Sequence, residues 1–323
     1  MSKKIKIGLV GLGHLGKIHF ELIRQINYFV LIGIYDIDLK RAKSFAKKFN
    51  VKKYKNLEKL ISESDAIDIV TPTDTHFNIA SKCLKLNKHI FIEKPLTKTL
   101  SEGQKLIDLI KNKKIVAQVG HIERFNPAFK SVNSLITNPL FIESHRLAEF
   151  NPRGTDVSVV LDLMIHDIDI ILTLIDSKIK TISGVGVPVI SKTPDIANVR
   201  IEFENKAVVN LTASRISLKN MRKTRIFQKD TYISINYLNK EVEVLKIKNA
   251  PKKPNEYDMI LENAEGVKKQ ILLKSPKIHD SNPIKEELSL FAESIINNTK
   301  PLVSLESGLN ALNVAHQIIN SFK

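Results

Sequence analysis

Three glycines in the run Gly11-Leu12-Gly13-His14-Leu15-Gly16 limit the fold of this chain more than any other feature. They follow the apolar, β-branched stretch Ile5–Val10 and precede Leu15, Ile18, Leu22, Ile23 and Ile26, whose spacing is that of one helix face. A strand that passes at once into a helix needs a tight turn at the first glycine, close ligand approach at the second and close helix–strand packing at the third. The N–H groups that open the helix then form a ready site for a pyrophosphate. Asp36 ends a second strand-like run, Val30–Tyr35, at the distance from the glycines that such a site requires. Its carboxylate accepts bonds from ribose hydroxyls and repels a 2′-phosphate, which favours NAD over NADP. Gly11, Gly13, His14, Leu15, Gly16 and Asp36 are the expected cofactor contacts.

The alternation continues. Further short β-branched runs stand at Ala66–Val70, His89–Ile92 and Ile115–Val119, with helical periods such as Ala42, Phe45, Ala46 and Phe49 between them. Asp38, Asn56, Thr75 and Thr99 are placed as helix N-caps. Repeated strand–helix units predict a doubly wound parallel sheet with its ligand site at the carboxyl ends of the strands. Thr71-Pro72-Thr73-Asp74-Thr75-His76 closes the third strand, where the strand order should reverse. Thr71, Thr73 and His76 are expected both to cap the next helix and to meet the dinucleotide.

After about residue 120 the texture changes. One helix over 157–175 is followed by strand-like segments at 180–190, 197–204, 206–217, 224–229, 231–236, 241–248, 257–262 and 268–273, and helices near 283–297 and 305–320 close the chain. Turn residues such as Glu204-Asn205-Lys206 and Asn239-Lys240 predict antiparallel hairpins. The fold class expected is α/β, with a nucleotide domain over 1–122 and an α+β domain over 123–323 that carries a large, open antiparallel sheet. An open sheet with an apolar face needs a cover, and a second subunit is the expected one.

Composition narrows the partners. A chain of 323 residues with 43% hydrophobic residues buries two real cores. The net charge of +16 invites nucleic acid, but the lysines are scattered along the chain and there is no Trp to stack on bases. An anionic small molecule gains from the same field. The single cysteine, Cys83, points to no disulfide. The glycine-broken N-terminal stretch lacks a signal-peptide cleavage pattern, and no stretch reads as a membrane span, so a cytoplasmic enzyme is expected.

The segment DLMIHDID, residues 162–169, places Asp162, His166 and Asp169 on one face of an apolar helix, with Asp167 about 100° away. Buried carboxylates beside an imidazole are costly unless paired, and such pairs often mark chemistry. Asp169 has a second reading, as a partner for a neighbouring backbone group. A metal site built on His166-Asp167 would need further ligands, and His14, His19, His76, His89, His121 and His145 are too dispersed to supply them.

Glu93-Lys94-Pro95 at the end of the fourth strand, behind the glycine turn and the TPTDTH turn, resembles the Gfo/Idh/MocA family of sugar and cyclitol oxidoreductases. The resemblance covers the whole chain, including the hinge Gly120-His121-Ile122-Glu123-Arg124-Phe125-Asn126-Pro127 and the DLMIHDID helix. It implies a Rossmann nucleotide domain, cofactor contact at Glu93 and a catalytic set of Lys94, Asp162 and His166. Many members have glycines before the aspartate and between it and the histidine. Ser158-Val159-Val160-Leu161 and Met164 stand there instead, which implies a differently shaped pocket.

In that reading a sugar hydroxyl loses its proton as hydride leaves the adjacent carbon. Histidine suits the base, with an ordinary pKa of about 6.5, and a lysine cation stabilises the developing alkoxide. The family is not uniform in which of the two takes the proton, so Lys94 and His166 are assigned jointly. Asp162 either orients the ring or holds a second hydroxyl. The hinge and the stretch Arg153-Gly154-Thr155-Asp156-Val157 are similar to those of members that oxidise the 3-hydroxyl of UDP-N-acetylglucosamine to a ketone, the substrate of a partner aminotransferase. Arg124, Asn126 and Arg153 are then the expected substrate contacts, and arginine forks suit a diphosphate. Arg146 stands near them in sequence, with pairing to Glu123, Glu143 or Glu149 as the other reading for each arginine. The run Arg215, Lys219, Arg222, Lys223, Arg225 is expected on an outer sheet face or subunit contact. An inositol or free-sugar dehydrogenase, an NAD-dependent glycosidase and a non-catalytic NAD-binding regulator are the alternatives.

Overall fold

The computed structural model describes residues 4–151, 157–253, 256 and 258–322. Contacts divide the chain into two compact units. One runs through Phe125 and takes back Ser281–Asn313; the other is Asn126–Asp280 with the chain from Val314.

In the first unit β1 (Ile5–Val10), α1 (His14–Ile23), β2 (Phe29–Tyr35), α2 (Leu39–Phe49), α3 (Leu57–Glu63), β3 (Ala66–Ile69), α4 (Thr73–Lys85), β4 (His89–Glu93), α5 (Leu100–Ile110) and β5 (Ala117–Gly120) follow in turn. Among the described residues the strands pair in parallel in the order β2-β1-β3-β4-β5. The order reverses between β1 and β3, so the crevice beyond their carboxyl ends is a topological switch point. Strands buried on both faces, as β3 and β5 are, need apolar cover on each side. One face is packed by Leu60, Ile61, Leu84 and Val303. The other is packed by Phe20 and Phe45 together with Leu288 and Phe291 of the returning segment. Asp38 caps α2, Asn56 caps α3 and Thr99 forms a capping box with Glu102. Thr75 caps nothing: α4 starts two residues earlier, and Thr75 Oγ1 lies 2.7 Å from both Pro72 O and Thr71 Oγ1.

The second unit opens with α6 (Pro127–Val132) and β6 (Pro139–Leu147). A π-helical turn, Val160–Met164, leads directly into α7 (Ile165–Leu174). The strands β7 (Ile179–Val187), β8 (Ile196–Phe203), β9 (Val208–Ser214), β10 (Met221–Gln228), β11 (Thr231–Asn236), β12 (Glu241–Asn249), β13 (Met259–Glu262) and β14 (Lys268–Lys274) follow. The helices α8 (Pro283–Asn297) and α9 (Leu305–Asn320) close the chain. Among the described residues the sheet order is β13-β14-β12-β11-β10-β6-β9-β8-β7. The large antiparallel sheet expected from the sequence is present, with one parallel pair, β6 and β9, at its centre. β6 itself is absent from the sequence reading. Ile142, Val199, Leu211, Ile226, Ile233 and Val244 form a buried face, and α7 packs against β6. The opposite face carries the half-exposed ladder Phe141, Phe227 and Tyr232, with ring centroids 5.8 and 4.9 Å apart, and the exposed Leu273.

Candidate dinucleotide and redox site

At Gly11 φ is +98°, a region that costs a residue with a Cβ, and a Cβ there would lie 2.3 Å from Val70 O. A Cβ at Gly16 would lie 2.1 Å from Gly11 O. These two glycines are therefore demanded by the turn itself. Gly13 differs: a Cβ there would meet nothing within 4 Å, and it holds the N-cap position of α1 with no side-chain cap. An open space against uncapped N–H groups fits a pyrophosphate. His14 is exposed and Leu15 half-buried beside it. Asp36 is buried at the end of β2, where Oδ2 accepts Leu12 N at 2.8 Å and Oδ1 accepts Asp38 N at 2.8 Å. Arg41, which the sequence reading passes over, brings its guanidinium to 3.2 Å from Asp36 Oδ2. It screens the charge that argues against a 2′-phosphate.

On the other side of the switch point the TPTDTH turn and the Glu-Lys-Pro segment are tied together. The buried His76 ring sits between Pro95 O, 3.0 Å from Nδ1, and Thr71 O, 2.9 Å from Nε2, and burial lowers its pKa. Thr71 and Thr73 flank it half-buried. Glu93 is buried at the end of β4, where Oε2 accepts the backbone N–H of Lys94 at 3.2 Å. Lys94 is half-buried, and its peptide bond to Pro95 is cis. Beneath Glu93 lies His19, with Nδ1 2.8 Å from Asp68 Oδ2 and Nε2 3.2 Å from Glu93 Oε1. Sequence reasoning misses this trio. The available signal was an aspartate, Asp68, in the middle of an otherwise apolar buried strand.

In the second unit Asp162 is half-buried in the π turn and His166 half-buried in the first turn of α7. The α-helix expected over this segment thus opens on a wider turn, a feature frequent at functional sites. Asp169 is buried. Asp167 is buried as well: Arg146 Nε donates to its Oδ2 at 2.7 Å, Nη2 to Oδ1 at 3.0 Å, and Ser144 Oγ to Oδ1 at 3.0 Å. Arg146 is therefore a structural fork to Asp167. Arg215 corrects the outer-face expectation, being buried with its Nη2 2.5 Å from Val157 O and its Nε 3.7 Å from Asp195 Oδ1. Asn126 is buried, caps α6 and donates to Tyr237 O at 3.2 Å. In the first unit the half-buried Arg124 donates to Leu302 O at 3.3 Å. Arg153 lies outside the described residues. Among the described residues no three His, Cys, Asp or Glu side chains are grouped to hold a metal ion.

Both parts of the chain resemble known proteins. Residues 5–121 match the profile of the oxidoreductase family with an NAD-binding Rossmann fold, and residues 132–233 match the GFO/IDH/MocA C-terminal domain. UDP-N-acetylglucosamine 3-dehydrogenase of Acidithiobacillus ferrooxidans is 34% identical over 241 residues, 74% of this chain and 76% of that protein. scyllo-Inositol 2-dehydrogenase (NAD(+)) of Bacillus subtilis is 29% identical over 236 residues, 67% and 69% of the two chains. The solved structure of the Acidithiobacillus ferrooxidans enzyme superposes with a TM-score of 0.87 at 28% identity, covering 99% of this chain and 98% of that one. scyllo-Inositol dehydrogenase of Lactobacillus casei, solved with NAD(H) and scyllo-inositol, shares the fold with a TM-score of 0.79 at 21% identity over 99% and 97% of the chains. With both halves matched and the dinucleotide turn in place, the chain belongs to the Gfo/Idh/MocA family and is an NAD-binding dehydrogenase.

Proposed function

We propose that this dehydrogenase oxidises a hydroxyl of a nucleotide sugar to a ketone, with the 3-hydroxyl of UDP-N-acetylglucosamine as the substrate position. What carries the reading is the 34% identity to a UDP-N-acetylglucosamine 3-dehydrogenase over about three quarters of both chains. The net charge of +16 supports an anionic diphosphate in preference to a neutral cyclitol.

NAD, when bound, accepts the hydride from the carbon that carries the hydroxyl. The α1 N-terminus at Gly13 holds its pyrophosphate, Asp36 its ribose, and Thr71, Thr73 and Glu93 line the approach to it. Lys94 and His166 jointly remove the hydroxyl proton, and the lysine cation stabilises the oxygen as negative charge develops. Asp162, in the π turn, orients the imidazole or holds a second hydroxyl. Arg124, Asn126 and Arg153 hold the nucleotide side. A ketone product calls for an aminotransferase downstream. No helix of the described residues is long and apolar enough to cross a membrane, and the enzyme is placed in the cytoplasm, where NAD and nucleotide sugars meet. The exposed aromatic face of the large sheet is covered by a second copy in a dimer or tetramer.

The test is nicotinamide reduction with UDP-N-acetylglucosamine beside myo-inositol, with an aminotransferase and amino donor present to remove the ketone. Turnover is expected with the nucleotide sugar alone, and Lys94→Ala or His166→Ala should lower kcat by about 10²- to 10⁴-fold. Turnover of inositol alone would move the substrate to free cyclitols. Sugar release without net NAD reduction would move the reaction to glycoside cleavage.

A further inference from the structure

Four ionisable side chains converge in the interior of the first unit, and the redox chemistry gives three of them no task. His19 comes from α1, Asp68 from β3, Glu93 from β4 and Glu287 from α8. His19, Asp68 and Glu287 are completely buried. Carboxyl oxygens stand 2.8 Å from His19 Nδ1 and 3.2 Å from His19 Nε2. A neutral imidazole donates from one nitrogen only, so a carboxyl oxygen beside each nitrogen favours the doubly protonated cation. Burial alone would lower the pKa of this ring, but Asp68 and then Glu93 outweigh it and raise the value well above the ordinary one.

Glu287 supplies the remaining proton. It lies close enough to Glu93, His19 and Asp68 to feel each charge, and neither of its carboxyl oxygens meets a hydrogen-bond donor among the described residues. Burial, and then the charge of Glu93, pushes its carboxyl well above the usual range. Three buried carboxylates cannot ionise together in so small a space. An imidazolium and a neutral Glu287 thus stand with Asp68 and Glu93, directly before Lys94 in the chain. Two uncharged neighbours border it: the Phe91 ring stands 5.7 Å from that of His19, and Gly120 leaves room for the Glu93 carboxyl, which a Cβ there would approach to 2.9 Å.

We propose that this cluster is a buried proton-holding network: imidazolium His19, backed by Asp68 and neutral Glu287, holds the Glu93 carboxyl on the backbone N–H of Lys94, so that His19 is a positioning residue for the redox lysine. The inference rests on the role given to Lys94 above. Remove the His19 ring, and Glu93 Oε1 loses the neighbour that holds its carboxyl against the lysine backbone.

The first measurement is a nitrogen-15 histidine NMR titration of the full-length protein without substrate. His19 should keep both ring nitrogens protonated well past the ordinary histidine value near 6.5. A neutral His19 at pH 7 overturns the proposal. Glu287→Gln copies the neutral acid, so its melting temperature at pH 8 should match or exceed that of the wild type; a fall of about 5 °C or more would mean that the ionised form is the native one. His19→Gln should lower kcat about tenfold or more at nearly constant KM and displace the pH profile of kcat. Glu93→Gln should displace the profile the same way, and the double variant should add little. An unchanged pH profile in His19→Gln overturns the positioning role. The NMR and melting readouts need no sugar, so a wrong substrate assignment and a wrong cluster give different results.

Discussion

Asp36 stands at the end of β2, its carboxylate accepting Leu12 N and Asp38 N. Its place after β2 is legible from the glycine spacing alone, because strand, turn and acid must occur at fixed offsets. Arg41 beside it is not, since a basic residue in the first turn of an amphipathic helix looks like any surface lysine or arginine. The pair predicts divided selectivity. Asp36→Ser should lower kcat/KM for NAD and, with Arg41 released toward a 2′-phosphate, shift the NAD/NADP ratio by about 10- to 100-fold; steady-state kinetics with both cofactors measures it. Asp195 gives a second residue-scale test. Its buried carboxylate accepts the backbone N–H groups of Val189, Ile190 and Ser191 at 2.7–2.8 Å. Burial opposes ionisation there, but these bonds outweigh it and hold the group well below the usual carboxylate range. A depressed folded-state value means stability that is present above the unfolded value of about 3.9 and is lost as pH falls through the folded one. Asp195→Asn should therefore destabilise the protein at pH 7 by about 1–3 kcal/mol, and denaturant melts should show the gap to wild type closing below about pH 4.

Between elements, the Arg146–Asp167 fork explains the largest gaps in the sequence reading. A strand announces itself by alternating apolar residues, but β6 turns Ser144 and Arg146 inward, and no periodicity reveals that their partner arrives twenty residues later on α7. The same contact reverses the expectation for Asp167, which by helical angle stands off the catalytic face and proves to anchor the helix that bears His166. The π turn is equally hidden, because its sequence, VLDLM, carries no glycine or proline to flag it. By contrast, β1 through β5 and the last two helices are legible, since burial on both faces or on one regular stripe writes itself into residue order. Breaking one side of a buried ion pair strands a charge, so Asp167→Ala should cost about 3–5 kcal/mol. Urea denaturation checks the cost. Replacing Arg146 and Asp167 together with Met and Leu should cost much less, because no charge is then left without its partner.

At the scale of the whole molecule the open face of the large sheet sets the behaviour in solution. Phe141, Phe227, Tyr232, Leu245 and Leu273 line up in register across β6, β10, β11, β12 and β14, and exposed apolar patches of this kind mark interaction surfaces. Phe227→Glu, at the centre of that ladder, should turn a dimer or tetramer into a smaller species, and light scattering after size-exclusion chromatography reads the mass directly. A monomeric wild type would exclude the assembly. The two-part chain also has a consequence in time. Ribosomes deliver the nucleotide-binding sheet first, yet Leu288 and Phe291, which seal one of its faces, are synthesised some 170 residues after β5 has emerged. The nascent first unit must wait, one flank bare, until nearly the entire polypeptide exists. For that interval its apolar flank is a natural client surface for chaperones, and a message cut short before residue 281 yields a product that cannot finish its own core.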